Sequence, residues 1–199
     1  IHSSKYKPFR GSSYLKTPPD LSSKKAIINV QNADNRCFGY AVLSALFPQT
    51  NNAQRPSHYT DYFDTLRFHG INFPVELSSI RKFEKLNKDF CITCQHRNCN
   101  DESHVHGLAI YVFEWKKDGL SPLHISHCNG YKIRLMLLHE ANKWHYIFIK
   151  NFHHLLRQFS GHHGTRFWCD KCLYVTQYEK VMQRHEEDCM GIDQSPCKV

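Results

Sequence analysis

The chain has 199 residues, a formal net charge of +8, 41% hydrophobic and 13% aromatic residues, nine cysteines and fifteen histidines. This length and apolar content suit one ordinary domain plus a small accessory module and exclude general disorder. There is no long uncharged apolar run, which excludes a membrane-spanning helix, and charges and prolines break up the first residues, which excludes a signal peptide.

Starting at Ile1 rather than Met, the chain reads as a piece cut from something longer. Cysteines without a secretory signal point to a reducing intracellular setting, cytoplasmic or nuclear, where thiols serve as metal ligands or nucleophiles. The basic charge raises nucleic acid as a partner, but it is unevenly spread. Residues 1–25 are rich in Ser, Pro and Lys and lack apolar periodicity. Lys5, Lys7, Arg10, Lys16, Lys24 and Lys25 stand there against Asp20, so this arm carries +5 and the remaining residues only +3. A tether or belt on the domain accounts for the arm more simply than an anion-binding tail does.

From residue 26 to residue 160 the pattern is that of a globular core. Ala26–Val30 reads as a short strand and Gln31–Arg36 as a polar turn. Cys37–Phe47 has helical spacing and is stopped by Pro48. A second helix is predicted over Tyr59–Phe68, ending at Gly70. A third is capped by Ser78 or Ser79, with Ile80, Phe83 and Leu86 on one face. Gly107–Trp115, Leu123–Ser126, Tyr131–His139 and Trp144–Lys150 read as strands separated by turn residues. Asn151 is placed to cap a helix running from Phe152 to Phe159. Helices followed by an antiparallel sheet make an α+β domain. Residues 161–199 form a separate small module.

Two cysteine–histidine patterns have metal-ligand spacing. In the C-terminal module, Cys169-x2-Cys172-x12-His185-x3-Cys189 offers two thiolates on a turn and two donors four apart on a helix, the tetrahedral set that zinc takes. Phe167 and Met182 stand where a ββα finger needs its small apolar core. The helix ends in Glu186-Glu187-Asp188, which suits a structural finger better than a DNA reader. The second pattern is Cys91-x2-Cys94-x4-Cys99, with the fourth ligand open between His104 and His106 and His96 a weaker choice. It lies in a polar loop over residues 91–106 that lacks a core of its own.

Cys37 is placed differently, where a polar turn enters an apolar helix. A helix N-terminus lowers a thiol pKa and can hold an oxyanion, so Cys37 is a candidate nucleophile as well as a candidate buried structural thiol. Asn32-Ala33-Asp34-Asn35-Arg36-Cys37-Phe38, followed by Val42-Leu43 and Ala45-Leu46, resembles the cysteine box of the ubiquitin-specific proteases. The Asp three residues before the Cys is also similar to the ovarian-tumour deubiquitinases. Trp144-His145-Tyr146-Ile147-Phe148-Ile149-Lys150 resembles the histidine box of the ubiquitin-specific proteases, in which Gly-His-Tyr opens a strand. The resemblance implies a papain-like fold with Cys37 as nucleophile, His145 as general base and Asn32 as oxyanion donor. That family carries its third member well downstream of the His, where this chain has Phe159-Ser160-Gly161-His162-His163-Gly164 and no carboxylate. The orienting residue is then Asn151, a remote residue, or absent.

A second resemblance covers most of residues 10–190. Arg10-Gly11-Ser12-Ser13-Tyr14, the strand Lys24-Lys25-Ala26-Ile27-Ile28-Asn29-Val30, the cysteine box, the His145-Tyr146 strand and the finger occur in the order found ahead of the type-B DNA polymerase in proteins of Maverick/Polinton-like mobile elements. The loop at 91–106 looks like an insertion relative to that pattern. Together the resemblances imply a deubiquitinase acting on ubiquitin or ubiquitinated proteins, with structural zinc and with Phe38, Trp144 and Tyr146 lining a channel for a Gly-Gly tail. A polyprotein-processing protease keeps the chemistry with another substrate. A non-catalytic zinc-containing module binding nucleic acid or protein is the reading from a different class.

Overall fold

The structure is a computed structural model and describes residues 14–97, 99–116, 119–141, 143–157, 164 and 166–191. The first half of the arm, Cys197, and the glycine–histidine stretch at 158–163 therefore lie outside the described residues.

A five-stranded sheet organises the chain. Its strands are β1 (Ile27–Ile28), β2 (Leu108–Lys116), β3 (Gly119–His124), β4 (Tyr131–Glu140) and β5 (Lys143–Ile149), in spatial order β1-β5-β4-β2-β3. Residues in the central strands alternate between two buried faces. Val112, Leu135, Leu137 and Tyr146 enter one apolar cluster, and Phe113, Met136, Leu138 and Ile147 enter the other. Strands covered on both sides read as nearly unbroken apolar runs.

The sheet is mixed, which corrects the expectation of an antiparallel one: β2 and β4 are parallel, from Leu108 opposite Tyr131 to Glu114 opposite Leu137. The cause lies in β3, which starts at Gly119 rather than Leu123 and pairs with the outer edge of β2. The chain must then return to the start of β2 before β4 can pair with its inner edge. Two glycines make that return possible. A Cβ on Gly130 would lie 2.7 Å from the Gly107 carbonyl carbon, and Gly107 itself has a φ of +78°. Pro122 is tolerated because β3 is an edge strand.

One face of the sheet carries α2 (Cys37–Leu46) and α3 (Ile80–Leu86). All ten residues of α2 are buried, as expected of a helix that is apolar all round. The segment predicted as a helix over 59–68 is instead two 3-10 turns, Pro56–His58 and Thr60–Thr65. Their i→i+3 bonds, such as Leu66 N–H to the Phe63 carbonyl, draw the chain tight enough to lay the Phe63 ring on Gly39 of α2.

The other face carries the described part of the arm, α4 (Phe152–Leu156) and the C-terminal module. The arm is a belt over 14–25, with a short α1 (Pro19–Ser22) and with Leu15 and Leu21 buried. The C-terminal module is a hairpin of β6 (Phe167–Trp168) and β7 (Val175–Thr176) followed by α5 (Glu179–Asp188). It docks on the sheet through Asp170, which is 2% exposed and receives both Nε and Nη2 of Arg134 from β4. No helix among the described residues is long and apolar enough to cross a membrane.

Candidate active site and metal centres

Cys37 opens α2 and is buried. The backbone N–H of Tyr146 donates to its sulfur. Since β1 ends at Ile28, opposite Phe148, the outer edge of β5 carries no strand at Tyr146, and the N-terminus of α2 meets it there. The thiol is thus placed at the strand position next to His145. Burial pushes the Cys37 thiol up to about 12, and the Asp34 carboxylate adds to the rise. The N–H groups of Tyr146, Phe38 and Cys37 favour the thiolate but do not overcome the burial.

His145 is fully buried, and its Nε2 lies 2.8 Å from Oδ1 of Asn29. The residue that meets the imidazole is Asn29, one of the remote residues left open. Asn151 is spent elsewhere, as the cap of α4, where its side chain accepts from the backbone N–H of His154 at 2.8 Å. Asn29 follows β1, and β1 pairs with β5, so the pairing of these two strands brings the amide to the imidazole across 116 residues of sequence. Motif reasoning missed it because it searched downstream of the His. The signal was present all the same: Asn29 is a polar residue interrupting the apolar run Ile27-Ile28-Asn29-Val30.

Asn32 is also buried, at 2% exposure, but both of its amide contacts go to Asp34: 2.6 Å to the backbone carbonyl and 3.0 Å to Oδ1. Asp34 Oδ1 in turn accepts from Arg36 N–H. Asn32 therefore holds the turn before α2 rather than presenting a free donor. Phe38 and Tyr146 pack edge to face in the core at 5.2 Å, so they do not line an open channel. Trp144 is stacked on His139.

Comparison with family models, with curated proteins and with solved structures finds no match in any of the three.

Two clusters of donors could hold a metal ion: Cys91, Cys94, Cys99 and His104, and Cys169, Cys172, His185 and Cys189. In each, the four ligand atoms lie within 4.8 Å of one another. A tetrahedral zinc with ordinary bond lengths sets S···S edges of about 3.8 Å and S···N edges of about 3.6 Å. The loop cluster has Cys94 Sγ 3.6 Å from Cys99 Sγ, and His104 Nδ1 3.3 to 3.7 Å from the three sulfurs. The C-terminal cluster has Cys169 Sγ 3.7 Å from Cys189 Sγ and Cys172 Sγ 3.2 Å from His185 Nε2. Both donor sets are compatible with zinc.

In the loop cluster the fourth donor is His104. Its Nε2 is 3.3 Å from an Asp101 carboxylate oxygen, a contact of the kind that orients metal-bound imidazoles. His106 is bridged to Cys91 through the backbone and stands outside the cluster, and His96 Nδ1 is taken by the Arg97 carbonyl at 2.6 Å.

Proposed function

We propose that the chain is a papain-like cysteine peptidase acting as a ubiquitin isopeptidase, with a structural zinc in each cluster and a ββα finger at its C-terminus. Two observations support the reading: the Cys37 sulfur on the Tyr146 N–H, and the neighbouring His145 on the Asn29 amide. A thiol at a helix N-terminus lies against the strand position beside a buried imidazole, and that imidazole is held through Nε2 by an amide. Ubiquitin as the substrate rests on the resemblance of the cysteine box.

In this mechanism the Cys37 sulfur attacks the carbonyl carbon of the scissile amide as His145 Nδ1 takes the thiol proton. Backbone N–H groups at the start of α2 stabilise the oxyanion. The C–N bond breaks, His145 returns the proton to the leaving lysine amine, and a thioester remains on Cys37. Water, deprotonated by His145, then releases a carboxylate and restores the thiol. A thiol held near 12 is protonated at neutral pH, so this proton transfer belongs to the reaction and is not completed beforehand.

A second reading, a non-catalytic zinc-bearing module, is favoured by the near-complete burial of Cys37 and His145, at 1% and 0% exposure. One experiment separates the two. The whole chain is incubated with a ubiquitin C-terminal electrophile, and the modified residue is mapped by mass spectrometry. The peptidase reading expects a single adduct on Cys37, lost in Cys37→Ala. An unmodified chain, or adducts only on other cysteines, leaves the binding module.

A further inference from the structure

The arm does more than wrap the domain. The side-chain amide of Asn29 has its oxygen on His145 and its nitrogen on the arm, where Nδ2 donates to the Leu15 carbonyl and to Thr17 Oγ1, each at 2.8 Å. The two ends of an amide are chemically distinct: Nδ2 has two hydrogens and accepts nothing, and Oδ1 only accepts. A backbone carbonyl also only accepts, so the Leu15 carbonyl requires the nitrogen to face it. Thr17 Oγ1 takes the second hydrogen. Both N–H groups are then used within the arm, and Oδ1 is left pointing at the imidazole.

An acceptor 2.8 Å from Nε2 requires that nitrogen to carry the ring's hydrogen in the neutral form. The hydrogen placement on His145 is thus decided one step further out, by the arm. Tyr14 adds to this. Its ring meets the imidazole edge to face at 5.8 Å, and its N–H donates to the Asn32 carbonyl at 3.2 Å, which holds the arm at both the imidazole and the turn before α2.

We infer that residues 14–17 of the arm are a positioning element of the candidate active site: Leu15 and Thr17 lock the Asn29 amide, and through it hold His145 as the Nε2–H tautomer with Nδ1 as the basic nitrogen. The assignment of the tautomer follows from the hydrogen bonds alone. Its value to catalysis rests on the peptidase reading, in which Nδ1 takes the Cys37 proton.

The test uses the full chain labelled with 15N-histidine, with the His145 signals assigned by their loss in His145→Gln. Long-range 1H–15N correlation near pH 8 is expected to show a protonated Nε2 and an unprotonated Nδ1. Thr17→Val, which keeps the volume and removes the acceptor, is expected to shift the tautomer ratio toward Nδ1–H by about fivefold to tenfold, the shift that one lost hydrogen bond allows. Thr17→Ser keeps the oxygen and is expected to retain the wild-type pattern, which separates loss of the hydrogen bond from loss of folding. A wild-type Nδ1–H tautomer, or a Thr17→Val spectrum identical to wild type, overturns the inference. Labelling of Cys37 by the ubiquitin electrophile is measured on the same variants. If the tautomer responds to Thr17 while no variant is labelled, the arm's role stands and the peptidase reading falls.

Discussion

The two central side chains of the candidate site are buried, and His145 is given a defined orientation by Asn29 at 2.8 Å from its Nε2. Cys37 must lose a proton to react, and burial holds that proton with a pKa of about 12. Only the thiolate is nucleophilic, so in the absence of a substrate the reactive fraction at pH 7 is roughly one part in 10^5. That fraction grows tenfold for each pH unit until the pH reaches the raised pKa. Alkylation of Cys37 by iodoacetamide, mapped by mass spectrometry, is therefore expected to be slow at neutral pH and to rise about tenfold per unit between pH 7 and pH 9. A rate that is already flat from pH 5 to pH 7 would show a preformed thiolate–imidazolium pair and contradict the burial argument.

At the level of elements, a single carboxylate joins α3 to the sheet. Glu84 is 3% exposed; its Oε1 accepts from the Ile110 N–H of β2 at 2.8 Å, and its Oε2 lies 3.8 Å from His124 Nε2 of β3. Burial opposes its charge, but the nearby His124 and Ser126 side chains and the Ile110 N–H outweigh that and hold the carboxyl below the ordinary glutamate range. A lowered folded-state pKa contributes stability above the unfolded pKa of about 4.3 and loses it as the pH falls through the folded value. Glu84→Ala should cost about 2 kcal/mol in urea denaturation at pH 7, because the Ile110 N–H is left buried without its acceptor. The penalty should shrink below pH 4, and an equal penalty at both pH values would show that the charge is not what matters. None of this was legible in the sequence, where Glu84 is one charged residue on an amphipathic helix. What was legible was local. Cys37–Leu46 is apolar at every turn, and β4 and β5 are joined by only two residues, 141 and 142. The parallel pairing of β2 with β4 was not legible, because it depends on which edge of β2 the strand β3 takes, and the alternation of side chains is the same for either edge.

At the scale of the whole molecule, the sheet and the two metal clusters depend on different forces. The sheet is held between two large apolar clusters, one beneath α2 and α3 and one beneath the arm and α4. Among the described residues, the C-terminal module has only Met182, Phe167 and Tyr174 packed around its own cysteines, and strands of two residues each. A core that small does not offset the entropy of ordering the chain, so a metal held by the four donors would supply the module's folding free energy. The spacing of its ligands made that visible in the sequence. The docking through Arg134 and Asp170 did not show, since it joins residues 36 apart whose charges look like ordinary surface charges. Elemental analysis of the purified chain is expected to give two zinc ions per molecule. Slow removal by a chelator should first abolish amide protection in α5 and in the hairpin, and should expose Asp170 together with Arg134. Amide protection in β2, β4 and β5 should survive, because their apolar cover does not include a metal ligand. The His145 signals should survive too, because Asn29 and the arm reach the imidazole from the opposite end of the chain. Loss of sheet protection in step with loss of zinc would mean that the clusters support the core and are not appended to it.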